Sequence, residues 1–523
     1  MASNNVSATY SYLQTTGNRF TGLASGMDID SIVEKLMKAE SAKMEKLQQQ
    51  KQKYEWQRDA YRGINSKLEA FQTEIFDNYQ LKTNTFLAKT ASVSDTSKLS
   101  VKASSSASGT LTISDATLAE NGQDVKRVVI SPATGTSDAV YATNQTKLSE
   151  LGLSDGTLKL NVVQKDGSTK ELSVDYTSED TLESLASKIN KENKGLTAVV
   201  GEDGSFSLST AATGEYDNGL VSIVSDDNSL MKSLGFASSN SAGTAILNGT
   251  DATYTINGVT KTSHTNTISE LGYSITLNQA FSGSSVTISS TTDTDTIVEN
   301  VKSFVELYNG LIDSLNSPIK EKKNYDYQPL TEAQKAEMSK EEIEKWEEKA
   351  KQGILRNDSI ISNTVSSMRS AIYSVTTDLD GKYNAFYNIG ITTTDVYSDG
   401  GKLKIDEDKL REAIEANPEA VADLFTRAEE KDADGNVVDK GGLITQLRAT
   451  AKTTINLIEE KAGKEGAEEN SFALGETIIS VDDRIENWKD RLKDIEERYF
   501  KQFSAMEAAI QKANSQASLF AQG

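Results

Sequence analysis

Two long stretches, one near each end of the chain, carry apolar residues at seven-residue intervals, and neither contains a proline. No other feature constrains the fold as much. Between Asp28 and Lys82 one series reads Val33, Glu40, Leu47, Tyr54, Tyr61, Leu68 and Ile75. A second reads Ile29, Leu36, Lys43, Gln50, Gln57, Ile64 and Phe71. Near the other end, Ile478, Ile485, Leu492, Tyr499, Met506 and Ala513 run beside Val481, Trp488, Ile495, Gln502 and Ala509, with Phe503 and Ile510 one step off. Each stretch is expected to be a long amphipathic helix, the first capped by Asp28 or Asp30, with Glu34 adding negative charge to the first turn. Both are nearly neutral: Asp28–Lys82 holds ten basic and ten acidic residues, and Glu476–Lys512 holds seven and nine. The whole chain is 55 − 77 = −22, so the negative excess lies between them.

Polar residues interrupt the first seam between Glu40 and Gln57, so a lone helix there would bury little. The residues before about Leu47 are therefore expected to be disordered in the isolated chain and to order against partners. The tail after Lys512 reads as a flexible end carrying one apolar hook, Leu519–Phe520. The two seams suit an intramolecular hairpin. They also suit packing against other chains, because aromatic residues are enriched in interface cores as well as in monomer cores. The candidate interface residues are Leu36, Leu47, Tyr54, Tyr61, Ile64, Leu68, Phe71, Ile485, Trp488, Leu492, Ile495, Tyr499 and Phe503.

From about Thr85 to Thr292 the composition shifts to Ser, Thr, Gly and Val, in short alternating runs bounded by turns. Leu196–Val200 and Ser205–Thr210, joined by Gly201–Gly204, predict a hairpin. One helix is expected over Leu182, Leu185, Ala186 and Ile189, with Asp180 as cap and Glu183 completing a capping box. Lys147–Gly152 and Thr267–Gly272 repeat the pattern Ser-Glu-Leu-Gly, which suggests a duplicated or interrupted module. Helical spacing returns after Asp295 and is expected to stop at Pro318. Glu332–Lys351 reads as a solvated helix or loop, Asn357–Thr377 as helix, and Gly390–Ile405 as short strands. Glu407–Phe425 reads as a helix pair around Pro418, and Glu429–Gly442 as an acidic loop.

Signatures of chemistry are missing. With no cysteine and one histidine, His264, thiolate sites, disulfides and two-histidine metal sites within the chain are excluded. Asp432-Ala-Asp434-Gly-Asn436 hints at a calcium loop but places Val437 and Leu443 where Gly and Glu are required. No phosphate-cradling loop occurs, and no motif supplies His264 with an orienting acid and a nucleophile. No catalytic, metal-ligating or cofactor-binding residue is expected. The acidic balance disfavours nucleic acid and anionic membranes, no apolar run is long enough for a membrane span, and the first residues lack the pattern of a cleaved signal peptide.

Phe20-Thr-Gly-Leu-Ala-Ser-Gly-Met-Asp-Ile-Asp30, Glu34-Lys-Leu-Met37 and Trp56-Gln-Arg-Asp-Ala-Tyr-Arg-Gly-Ile-Asn65 resemble the start of the bacterial flagellar filament cap family, hook-associated protein 2. Tyr254–Gly258 through Asp295 and Phe304–Asn309 resemble that family's hook-type insertion motif leading into a core helix. Trp346–Asp358, Ile389–Thr392, Gly401–Asp406 and Ser471–Leu519 resemble its C-terminal parts. The resemblance implies a homo-oligomeric ring at the distal tip of the flagellum that retains exported flagellin and promotes its folding and insertion. It also implies hook–filament junction proteins as partners, an export chaperone at the C-terminal segment, and secretion by flagellar type III export. A different reading is a tip adhesin whose Ser/Thr-rich head binds host glycan or mucin. The fold expected is α+β and multidomain: a coiled-coil-like helical leg built from both chain ends, with β-rich head domains nested by insertion. The divisions expected are 1–45 with 476–523 (terminal helices, filament-contacting), 46–85 with 293–475 (leg), 86–145 with 242–292 (head) and 146–241 (outer head).

Overall fold

The computed structural model describes residues 26–82, 84–130, 139–374 and 381–521; the side chains of residues 397 and 518–521 fall outside that description. The chain is an α+β protein of two compact units. Residues 88–293 form a β-rich unit inserted into a helical unit made of the two flanking segments, 1–87 and 294–523.

The helical unit begins with α1 (Ile29–Ile75), whose cap Asp28 accepts a hydrogen bond from the Ser31 amide at 3.1 Å. It closes in a π-helical turn, Phe76–Gln80, where the Leu81 amide reaches the Phe76 carbonyl.

Among its described residues the β-rich unit has two main hydrophobic cores and a small cluster of Val163, Ala212 and Leu220. One lies among Leu99, Ile113, Tyr254, Tyr273, Ile275 and Ile288. It is enclosed by a five-stranded antiparallel sheet (order Lys89–Val93, Val286–Thr292, Leu111–Ala116, Ala252–Ile256, Val259–Ser263) and a three-stranded one (Thr267–Glu270, Tyr273–Leu277, Leu99–Ala103). The other gathers Leu158, Leu160, Leu172, Leu185, Ile189, Phe206, Leu208, Ile223 and Met231. Its sheets are Ala245–Leu247, Val221–Asp226, Gly156–Val163, Thr169–Tyr176 and Asn121–Arg127, Ser205–Thr213, Leu196–Val200. With them lie α2 (Leu182–Lys191) and the single turn α3 (Leu230–Ser233). The chain passes from one core to the other near residue 120 and back near 250, where division at 145 and 241 was expected.

The hairpin Leu196–Val200/Ser205–Thr210 pairs as its turn residues require. The cap of α2 is Thr181, accepting from the Ser184 amide, rather than Asp180. The two Ser-Glu-Leu-Gly copies differ in structure: Leu148–Leu151 is a 3-10 turn and Thr267–Glu270 a strand. Pairing of Thr267–Glu270 with Tyr273–Leu277 overrides local preference in the second copy.

On return the helical unit adds α4 (Thr294–Lys320), α5 (Glu332–Ala336), α6 (Lys340–Lys351), α7 (Ser359–Ile372), α8 (Glu407–Ala416), α9 (Pro418–Thr426), α10 (Leu443–Ala462) and α11 (Ala473–Ala521). Pro318 does not stop α4. It removes one donor in the last turn, and the Glu321 amide, bonded to the Ser317 carbonyl at 3.0 Å, closes the helix beyond it. Glu430–Lys431 and Val437–Asp439 pair as a hairpin where a loop was expected. An aromatic cluster holds the unit together: Phe425 stacks on Phe86 (4.3 Å) and meets Phe304 and Phe386 edge-on. The tail after Lys512, expected to be flexible, is helical backbone to Ala521. Its Ala- and Gln-rich sequence meets no Gly or Pro before Gly523.

Candidate assembly surface

Helix α1 changes neighbours along its length. Its first half pairs with α11 in a two-helix seam: Ile29, Val33, Met37, Met44 and Leu47 are buried against Val481, Ile485, Leu492 and Ile495. Met27, Tyr54, Trp488, Tyr499, Phe500 and Phe503 pack half-buried around that seam. Lys51 and Asp482 form an ion pair across it at 2.7 Å, and the Tyr499 hydroxyl donates to Glu40 Oε1 at 3.2 Å. Burial works against the Lys51 ammonium, but the Asp482 hydrogen bond and charge outweigh it and leave the pKa raised.

The seam does not follow the seven-residue repeat. From Ile29 it steps through Val33, Met37, Ser41 and Met44, so four turns take 44 − 29 = 15 residues. Ser41 fits because its hydroxyl is satisfied within the helix, by the Lys38 carbonyl and Glu45 Oε1, both at 3.0 Å. The apparent flaw between Glu40 and Gln57 is thus largely one of register. Met37 and Met44, missed at the sequence level, sit one position beyond Leu36 and Lys43, and Leu36 is only half-buried. Residues 29–47 are helical in the structure and covered by α11.

In its second half α1 packs on α10 and α4 instead. Tyr61, Ile64, Leu68 and Phe71, grouped with the interface candidates, are buried in the unit's own core, Tyr61 and Leu68 completely. The Tyr61 hydroxyl donates to Asp358, which also caps α7 through the Ile361 amide (3.1 Å) and lies 3.5 Å from Lys461 of α10. One carboxylate therefore ties together α1, α7 and α10. Burial, reinforced by Asp358, pushes the Tyr61 hydroxyl pKa strongly upward. Arg62 Nε donates to the carbonyls of Ala462 and Gly463 at the end of α10. Gly463, at φ +68°, must be glycine because a Cβ would strike the Phe472 ring. The segment between α4 and α6 leans on α1 through Gln49 Nε2 to the Pro329 carbonyl (2.7 Å), and the last residue of α6, Lys351, lies over the Trp56 ring (5.1 Å).

Of the proposed interface set, Leu47, Ile485, Leu492 and Ile495 line the α1–α11 seam, and Tyr54, Trp488, Tyr499 and Phe503 are its half-open aromatic rim. The side chains of Leu519 and Phe520 lie outside the described residues. Helix α10, whose buried face reads Leu443, Ile444, Leu447, Ala451, Ile455 and Ile458, was not read from the sequence. Its three-and-four spacing carried the signal, diluted by Ala and Thr.

His264 bonds through Nδ1 to Asp251 Oδ1 (2.8 Å) and stacks on Tyr216 (4.4 Å). Among the described residues no hydroxyl is hydrogen-bonded to its ring. Burial tends to raise the Asp251 pKa, but the Glu215 amide and His264 together hold it below the usual value. Asp432 Oδ1 accepts from the amides of Asp434 (3.0 Å) and Asn436 (2.8 Å), so this aspartate closes a turn. Among the described residues no cluster of three His, Asp or Glu side chains is placed to hold a metal ion, and no helix is long and apolar enough to cross a membrane.

Comparison with known proteins matches residues 25–122 to the N-terminus and 249–515 to the C-terminus of flagellar hook-associated protein 2. The flagellin hook IN motif matches 157–212, not the 254–295 stretch expected to carry it. The flagellar hook-associated protein 2 of Halalkalibacterium halodurans is 31% identical over 95% of this chain and 98% of its own length. That of Salmonella typhimurium is 24% identical over 96% and 97%. The D1-D2-D3 domains of the flagellar cap protein FliD from Escherichia coli share the fold, with a TM-score of 0.52 at 22% identity, over 78% of this chain and 100% of that one. The chain belongs to the flagellar hook-associated protein 2 family, the capping proteins of the bacterial flagellum.

Proposed function

We propose that this flagellar cap works as a scaffold without turnover. Copies form a ring at the distal tip, hold exported flagellin there, and let it fold and insert through the mismatch between ring and filament. The supporting observation is the thinness of the α1–α11 pair. Only two helices deep, it leaves Tyr54, Trp488, Tyr499, Phe500 and Phe503 half-covered, whereas the second half of α1 is enclosed by α10 and α4. Covering such a rim by neighbouring subunits gains about 25 cal/mol per Å² of apolar area, offset by the cost of ordering the ends. On this reading residues before about 45 and after about 476 adapt to the filament, ordering fully only on assembly. The C-terminal segment meets an export chaperone before secretion through the flagellar type III route, and hook–filament junction proteins are neighbours at the start of growth.

The test is truncation after Val481, with filament elongation measured on supplying flagellin. Loss of elongation is expected, and normal elongation would contradict the proposal.

A further inference from the structure

The two main cores of the β-rich unit belong to two lobes, and among the described residues no sheet runs through both. The first lobe surrounds Leu99, Ile113 and Ile288, the second Leu158, Phe206 and Met231. The chain crosses between them at Glu120 and again at Thr250, and the crossings lie side by side. The Glu120 amide donates to the Thr250 carbonyl (3.0 Å) and the Thr250 amide to the Glu120 carbonyl (3.3 Å), an isolated bridge. So narrow a connection resists bending less than a continuous sheet does, and hinges are commonly a few element-terminal residues of this kind.

A strap beside the crossings spans the same gap. It is Thr213–Tyr216, which carries the second lobe's strand Ser205–Thr213 onward to the first lobe. Thr213 Oγ1 donates to the His264 carbonyl and the Glu215 amide to Asp251 Oδ1, both at 2.7 Å. The Tyr216 ring stacks on His264, with centroids 4.4 Å apart and planes 26° apart. Tyr216 also packs against the cluster of Val163, Ala212 and Leu220, which anchors the strap in its own lobe. The approach is close enough to require glycine. At Gly214, with φ +98°, a Cβ would come within 2.6 Å of His264 Cα, and at Gly249 a Cβ would strike the Glu120 carbonyl.

Asp251 stands at the centre of this contact. Its Oδ1 accepts the Glu215 amide of the second lobe and bonds His264 Nδ1 of the first at 2.8 Å, while the His264 ring carries Tyr216. Hydrogen bonds to an ionised carboxylate are stronger than neutral ones, and an offset ring stack adds to them. The side chains that join the lobes are thus gathered at one edge of the crossings, where they oppose rotation about the Glu120–Thr250 bridge. The assembly surface of α1 and α11 uses none of them.

We propose that Asp251, His264 and Tyr216 form a clasp that fixes the angle between the two lobes, and that opening the clasp lets the second lobe swing about the paired crossings at Glu120 and Thr250. These are positioning residues: they set where the second lobe points, while each lobe keeps its own core. The device is independent of whether copies of the chain assemble.

The experiment measures the distance between two spin labels on the full chain. The chain has no cysteine, so introduced cysteines carry the only labels. Lys170→Cys in the second lobe and Val259→Cys in the first are both at exposed positions. Labelled protein is diluted with unlabelled protein, so that only distances within one copy are read. With the clasp intact the distance distribution is narrow. Asp251→Ala and Tyr216→Ala each widen it at least about twofold, as expected when a hinge loses its stop. Asp251→Asn, which keeps an oxygen for the Glu215 amide, leaves it narrower than Asp251→Ala does. A second pair, Lys170→Cys with Val199→Cys, lies within the second lobe and keeps its width in every variant. Unchanged Lys170–Val259 widths in both alanine variants overturn the proposal. Equal broadening of the Lys170–Val199 pair also overturns it, because the lobe itself would then have loosened.

Discussion

Asp180 shows how one side chain ties a helix to the strands around it. It accepts from the Thr177 amide (2.7 Å), from Ser184 Oγ (2.6 Å) and from Lys188. Burial alone would raise its pKa, but these donors outweigh that and bring it to about 2. Because the folded pKa lies below the unfolded one, the stabilisation is complete above about pH 4 and drains away as pH falls toward 2. The shift is equivalent to about 2 kcal/mol. Urea unfolding of Asp180→Asn against wild type should show that deficit at pH 6 and little difference near pH 2. A deficit independent of pH would mean that the carboxylate's charge is not what matters. The sequence identified Asp180 as important but gave it its neighbour's task. Asp180 and Thr181 can both cap, and only the backbone path decides that Thr181 takes the Ser184 amide. Glu183, placed in a capping box, instead accepts from Asn144 and Gln145, residues distant in sequence.

At the scale of elements, both long helices were legible, since 47- and 49-residue segments without proline leave few alternatives. Their partners were less so. A heptad series names a face but cannot say which helix covers it, and α10, hidden by its Ala and Thr content, takes the half of α1 that carries Tyr61, Ile64, Leu68 and Phe71, four of the expected interface residues. The division makes α1 mechanically uneven. Leu492 is fully buried in the two-helix seam, so Leu492→Ala removes contacts that only α1 supplies there, at a cost of about 2–4 kcal/mol. Hydrogen exchange should then accelerate across residues 29–54, while amides of 61–75, held by α10 and α4, keep their protection. Equal acceleration in both halves would show that α1 opens as one unit and that the change of neighbours has no energetic consequence.

For the whole molecule, the insertion of one unit into another is testable because the inserted unit's ends meet. Lys89 pairs with Thr292, and the Asp293 amide donates to the Ala88 carbonyl at 2.9 Å. Residues 88–293 therefore leave and re-enter at one place, and their two cores are complete without the flanking segments. The composition shift near Thr85 and Thr292 made this insertion readable, because Ser/Thr/Val alternation cannot continue a helical period. The internal exchange near 120 and 250 was hidden, since strands on either side of it look alike. The fragment 88–293 should unfold cooperatively on its own. Replacing it by a short Gly-Ser linker should leave the helical unit folded, because the linker need only join residues already side by side. If less than about 1 kcal/mol links the units, each fragment's Tm should fall within roughly 2–4 °C of the matching transition in the intact chain. Calorimetry of the three proteins decides it. A single transition in the intact chain, or an unfolded 88–293 fragment, would mean that the units stabilise one another and that a change felt by one is passed to the other.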